Sequence, residues 1–165
     1  MKHLILVRHG KSSWENNLND TDRPLKIRGV NDALLVSEKL KEQQIKIDYC
    51  FSSPANRALH TATIFLRQLE FNFSNFQITN ALYDFSGENT LSFLNHLEDR
   101  LQTVLVFGHN YAFTHIANSL GNTYIDNVPT SGLVHLRFQT DSWSSISKGE
   151  TKQIIFPKQL RHDKK

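Results

Sequence analysis

A run of four apolar residues, Leu4-Ile-Leu-Val7, stops abruptly at Arg8-His9-Gly10. A short apolar run closed by glycine reads as a strand buried on both faces, the kind found in parallel sheets. A second run, Thr103-Val-Leu-Val-Phe107, stops at Gly108-His109-Asn110, and a third, Ile47-Asp-Tyr-Cys-Phe51, closes on Ser52-Ser53-Pro54. Strands buried on both faces need helices to cover them, and parallel strands need crossovers long enough to hold those helices.

The intervening segments supply them. Val30, Ala33, Leu34, Ser37 and Leu40 recur at three- and four-residue spacing and predict a helix from Arg28 to about Gln44. Pro54 suits the opening of a helix from about Ala55 to Leu69, with Ala58, Ala62, Phe65, Leu66 and Leu69 as its buried stripe. Leu91, Leu94, Leu97 and Leu101 predict a third helix from about Asn89 to Leu101, and a fourth is expected from Ala112 to Leu120. Phe76 to Thr79 is a short strand candidate; Gly132 to Phe138 alternates toward another, which Gln153 to Phe156 can join antiparallel. Strands alternating with helices imply right-handed crossovers. The expected class is therefore α/β, with a mostly parallel central sheet and helices on both faces.

The 165 residues fit one domain spanning 1–165, with no repeat, low-complexity tract or linker to split them. Hydrophobic content of 39% and charged content of 21% are those of a soluble globular protein. The apolar run after Lys2 is too short for a secretory signal and no small-residue cleavage site follows it, so a cytoplasmic location is expected. Nothing approaches a membrane span. Cys50, the only cysteine, excludes an internal disulfide and reads as a buried strand thiol. A net charge of +3 suits an anionic ligand but is too small an excess to argue for nucleic acid, and no aromatic stacking face accompanies it. Residues 11–26 read as a long polar loop, in which Trp14 is either an anchor or a pocket wall and Asp22 and Arg23 pin the loop. The tail from Arg161 to Lys165 reads as a solvated terminus.

In a parallel sheet the ends of the three buried strands lie on one edge, where open α/β sheets bind their ligands. Gly10 there lets the backbone turn and approach a ligand closely. Arg8, His9, Arg57 and His109 can then converge. Arg57 falls on the first turn of its helix, where the dipole disfavours a cation and a nearby anion would offset the cost. Two guanidiniums and two imidazoles describe a site for a tetrahedral dianion such as a phosphoryl group. One neutral imidazole can attack phosphorus, and the other can stabilise the charge that spreads over the equatorial oxygens. No cofactor is called for, and no closely spaced ligand pair marks a metal site. His3, His60, His96, His115, His135 and His162 show no convergent partner in the sequence.

These residues also carry a resemblance. Arg8-His9-Gly10, Ser53-Pro54 leading to Arg57, and Gly108-His109-Asn110 resemble the histidine phosphatase superfamily. Lys11-Ser-Ser-Trp14, Asp22-Arg-Pro-Leu25 with Arg28-Gly29, Leu82-Tyr83, Val128-Pro-Thr-Ser-Gly132, Asp141-Ser-Trp143 and Phe156-Pro-Lys158 narrow it to the small SixA-type phosphohistidine phosphatases. The resemblance implies a three-layer α/β/α sandwich of the phosphoglycerate mutase-like kind. It also implies a metal-independent phosphatase in which His9 is the nucleophile and Arg8, Arg57 and His109 hold the phosphate. The superfamily usually adds an acid for the leaving group, for which Asp84 is the candidate and Glu88 the runner-up; Asp84 can equally cap a turn. Ser131 is either a turn residue or a donor to phosphate. Phosphohistidine protein is the substrate the resemblance implies. A phosphomonoesterase for a small metabolite and a non-catalytic phosphate-binding module are the alternatives, and neither a nucleic-acid nor a membrane partner is expected.

Overall fold

In a computed structural model of the chain, which describes residues 1–163, the elements follow the order β1 (Lys2–Arg8), α1 (Ile27–Glu42), β2 (Tyr49–Ser52), α2 (Asn56–Gln68), β3 (Phe76–Ile78), α3 (Glu88–Asn95), β4 (Thr103–Gly108), α4 (Ala112–Leu120), β5 (Leu133–Phe138), β6 (Glu150–Ile155) and α5 (Pro157–Asp163). The strands form one six-stranded sheet in the order β3-β2-β4-β1-β5-β6. β1, β2, β3 and β4 are parallel, β5 runs against β1, and β6 pairs antiparallel with β5. One reversed strand thus makes the sheet mixed.

Strand alternation divides the core in two. Leu4, Leu6, Val104 and Val106 face one side, where α3, α4 and the buried Trp143 cover them. Ile5, Val7, Leu105 and Phe107 face the other, against α1 and α2, with Leu160 of α5 at the margin. Buried runs such as Leu4–Val7 therefore have no polar face because both faces are covered, and the layers are helix, sheet and helix.

Four local expectations change. α3 ends at Asn95, so Leu97 and Leu101 are not helical. The reason is tertiary: the carbonyls of Asp99 and Leu101 accept from the buried Lys2 ammonium at 2.5 and 2.9 Å, and the Trp143 indole also donates to Leu101 at 2.8 Å. A continuing helix would orient those carbonyls along its own axis. On α1 the buried stripe includes Val36, while Leu34 is 43% exposed. The tail does not dangle: α5 packs on α1, and Arg161 donates to the buried Asp32 at 2.6 Å. The last two residues and the His162 side chain lie outside the described residues. Finally, His3 and His135 do have a partner, each other, with ring nitrogens 2.9 Å apart.

The crossover leaving β1 runs to β2 on one side of the sheet centre, and the one leaving β4 runs to β5 on the other. Between the carboxyl ends of β1 and β4 a crevice opens, the switch point where α/β folds place ligands. Arg8 and Gly108 are register partners at that edge. Among the described residues no helix is long and apolar enough to cross a membrane.

Candidate active site

β1 delivers His9 into the crevice, with 8% of its surface exposed. Its Nδ1 lies 2.7 Å from the Gly10 carbonyl, so that nitrogen carries the proton and donates. Nε2 is left with its lone pair, and it accepts from Arg57 Nε at 3.3 Å. The turn after β1 is clamped from two directions. Gly10 N donates to Thr61 Oγ1 at 2.9 Å, and Ser131 N donates to the carbonyls of Arg8 and His9 at 3.0 and 3.1 Å. Gly10 also sits in a tight packing contact, which its place after an apolar run does not reveal. A side chain there would come within 3.0 Å of the Gly29 carbonyl and 3.1 Å of Ser131 Oγ, so the glycine serves packing of this turn against the start of α1.

Arg57, the second residue of α2, is almost fully buried. Besides His9 it reaches His109, whose Nδ1 is 3.4 Å from NH2. The His9 and His109 rings have centroids 5.2 Å apart. His109 Nε2 lies 2.8 Å from Ser53 Oγ, so the serine just past β2 fixes that ring. Tyr83 and Phe85 enclose it with centroids 5.3 and 5.0 Å away. Arg8 anchors one guanidinium nitrogen on the Val128 carbonyl at 2.8 Å, while its Nε is buried with no partner. Ser131 Oγ is likewise buried and unpartnered. An orphaned guanidinium nitrogen and an orphaned hydroxyl near Arg57 match a site that expects anionic oxygens.

The electrostatics follow from burial among cations. Desolvation, with help from His109, Arg57 and Arg8 and against the pull of the Gly10 hydrogen bond, drives the His9 pKa down to about 3. Desolvation, then the Arg57 charge, does the same to His109, also to about 3. Both imidazoles are neutral at pH 7. The Arg8 pKa is lowered by burial and by its neighbour Arg57.

All four expected phosphate-site residues are thus brought together. The expected proton donor finds no support in this geometry. The Asp84 carboxylate accepts from the backbone N–H of Ser86, Gly87 and Thr90 at 3.2, 3.1 and 2.9 Å, which makes it the cap of α3. Partial burial works to raise its pKa, but the Thr90 and Ser86 donors outweigh it and lower it. Glu88 is exposed in the first turn of α3.

Asp20 is the residue the sequence reading missed. Its carbonyl accepts from Arg57 NH1 at 2.6 Å, and its Oδ2 accepts from Arg57 NH2 at 2.9 Å and from the Tyr83 hydroxyl at 2.5 Å. Oδ1 accepts from Arg23 at 3.1 Å. Arg23 does pin the loop, donating also to the Ser13 carbonyl at 3.0 Å and Ser12 Oγ at 2.7 Å, and Trp14 stacks on it with the guanidinium carbon 3.2 Å from the ring centroid. Burial works to raise the Asp20 carboxyl, but the bonds from Tyr83, Arg57 and Arg23 hold it at about 2. Part of the signal is in the sequence: a cation on the first turn of α2 calls for an anion, and the polar loop offers Glu15, Asp20 and Asp22. Arg8, His9, Lys11, Ser12, Trp14, Asp20, Arg23, Arg57, Phe85 and Thr130 line the resulting cavity of about 290 Å³.

The sequence model of the histidine phosphatase superfamily (branch 1) matches residues 4–88. The 2,3-bisphosphoglycerate-dependent phosphoglycerate mutase of Gloeothece citriformis is 44% identical over 73 residues, 42% of this chain and 31% of that protein. Phosphoglycerate mutase 1 of Saccharomyces cerevisiae is 38% identical over 73 residues, 42% of this chain and 30% of that one. The match thus spans less than a third of these curated relatives. Among solved structures, the protein histidine phosphatase SixA complexed with tungstate superposes with a TM-score of 0.81 at 21% identity, over 96% of this chain and 99% of that chain. A mycobacterial glucosyl-3-phosphoglycerate phosphatase superposes with a TM-score of 0.69 at 12% identity, over 94% and 98%. These two share the α/β/α fold seen here. With the strand end of Arg8 and His9 and the helix of Arg57 inside the matched residues, the chain belongs to the histidine phosphatase superfamily.

Proposed function

We propose that residues 1–165 act as one cytoplasmic phosphatase domain that removes a phosphoryl group through a phosphohistidine intermediate on His9, with a phosphohistidine protein as substrate. The observation that carries this reading is the state of His9: Nδ1 is tied to the Gly10 carbonyl and Nε2 keeps its lone pair beside the Arg57 fork.

The steps follow from that state. In this scheme a bound phosphoryl group takes hydrogen bonds from Arg8, whose Nε is buried without a partner, from Arg57 and from Ser131 Oγ. His9 Nε2 donates its lone pair to phosphorus as the bond to the leaving group breaks and that group takes the electron pair. The second imidazole contributes at the equatorial oxygens: a dianion beside His109 favours its protonated form, which lets Nδ1 donate. In the phosphorylated intermediate His9 still carries its Nδ1 proton, so it departs as a neutral imidazole when water attacks phosphorus. Asp84 and Glu88 supply no proton in this scheme. The open rim, where Trp14 is 77% and Phe85 46% exposed, supports a phosphorylated side chain on a protein surface over a metabolite that must be enclosed.

The test is hydrolysis of an aryl phosphate with chelator present, for the native chain and His9→Ala. Chelator-insensitive activity lost in the variant is the expected result; an active variant removes His9 as nucleophile. Turnover of a phosphohistidine protein is then set against sugar phosphates, nucleotides and phosphoglycerate, the last because of the relatives' names. Activity on metabolites alone overturns the protein substrate.

A further inference from the structure

Asp20 is a peculiar neighbour for a phosphate site. It is an ionised carboxylate on one of the arginines that must bind a dianion, and its side chain is 40% exposed where Arg57 is 3% exposed. It therefore lies outward of Arg57, in the lining of the same cavity. In-line attack by the buried His9 sends the leaving group outward as well. A carboxylate held ionised cannot protonate an alkoxide, and beside the phosphoryl oxygens it only repels. It needs a different account.

Leaving-group chemistry supplies one. Phosphohistidine differs from every phosphate ester in having a second ring nitrogen that can carry a proton. When it does, the P–N bond breaks with its electron pair going to the ring, the ring leaves as neutral imidazole, and no proton is required from the protein. What helps is an anion that accepts from that N–H and so keeps the substrate ring protonated while it is bound. We propose that Asp20 is that acceptor and a specificity-determining catalytic residue: its carboxylate holds the N–H of the departing imidazole and makes the site selective for phosphohistidine over phosphate esters.

The hydrogen bonding suits the role. Carboxylate oxygens each accept about two bonds. Oδ1 receives one, from Arg23, and Oδ2 receives those of Tyr83 and Arg57. A phosphoryl group that takes over Arg57 NH2 releases a further position on Oδ2, at the moment when the carboxylate finds itself beside a dianion and lacking a donor. The imidazolium N–H supplies the donor, whereas an ester oxygen has none. Tyr83 and Arg23 hold the carboxylate in place throughout, from the segment before α3 and from the loop itself. This inference rests on the proposed phosphohistidine substrate.

The experiment compares N-phosphoimidazole with p-nitrophenyl phosphate for the native chain and for Asp20→Asn, which keeps the shape and an acceptor oxygen but not the charge. The ratio of kcat/KM for phosphoimidazole over the aryl ester is expected to fall at least tenfold in the variant. If both substrates change by the same factor, Asp20 merely positions Arg57 and the inference is overturned. If the native chain cleaves the aryl ester and not phosphoimidazole, the phosphohistidine reading fails first, and that result is read without any variant.

Discussion

Arg57 Nε sits 3.3 Å from His9 Nε2 and the NH2 of the same guanidinium sits 3.4 Å from His109 Nδ1, so one side chain spans both imidazoles. The proposed nucleophile and the second histidine are therefore positioned by a single planar group. Lysine has one point of charge and cannot bridge them.

Arg57→Lys should accordingly lower kcat/KM for an aryl phosphate by roughly 10- to 100-fold, the worth of about one charge-assisted hydrogen bond of 1.5–3 kcal/mol. Inhibition by inorganic phosphate should weaken in parallel. Unchanged phosphate inhibition would show that Arg57 does not touch the anion.

His9 should be neutral and protonated at Nδ1 in the ligand-free chain throughout pH 5 to 8, because burial holds its pKa near 3. Nitrogen-15 NMR of the imidazoles reads both points. Adding inorganic phosphate should raise the pKa, since an anion favours the charged ring. A His9 titration near 6.5 without ligand would contradict the buried, cation-flanked setting.

The same shifts make stability depend on pH. His9 and His109 are held down to about 3 and His135, chiefly by burial and then by His3, to about 4. Below about 6.5 the unfolded chain binds protons that these folded rings refuse, so stability is full above that pH and falls as the pH drops toward 4 and 3. Each ring contributes up to ~1.4 kcal/mol per pH unit in its window. His135→Gln should flatten the slope of urea-unfolding free energy between pH 6.5 and 4 while leaving the slope contributed by the active-site pair. An unchanged slope would mean that His135 protonates freely in the fold.

Asp84 offers a contest between two roles. As the cap of α3, its replacement by Ala should lower stability by about 1–2 kcal/mol and reduce activity on alkyl and aryl phosphates by similar factors. A proton donor would behave differently: Asp84→Asn would spare the aryl ester, with its good leaving group, and depress the alkyl ester. The ratio of the two rates distinguishes them.

Much of this site is legible along the chain because its chemistry sits at strand ends. Apolar runs such as Leu4–Val7 and Thr103–Phe107 fit strands buried on both faces, which favours the parallel β1–β4 pairing, helical crossovers and a shared carboxyl edge. From there the meeting of Arg8, His9, Arg57 and His109 follows without knowledge of any side-chain angle. Where local pattern alone is weak, the reading drifts. Leu97 and Leu101 keep helical spacing, but the carbonyls around them are needed by Lys2 and Trp143 from distant parts of the chain. The tail reads as solvated because its partner, the buried Asp32, lies 129 residues away from Arg161.

The fold class and the residues that can gather around a phosphoryl group are legible along the chain, since both depend on which side chains must be buried and where strands stop. The states of those residues are set by contacts in the folded molecule. That Nδ1 of His9 holds the proton depends on the Gly10 carbonyl, that Asp84 caps a helix depends on the N–H groups of Gly87 and Thr90, and that Asp20 stands over Arg57 depends on where a polar loop folds back. Hydrogen bonds and desolvation act over a few ångströms, and no spacing in a chain records which groups from distant segments come that close.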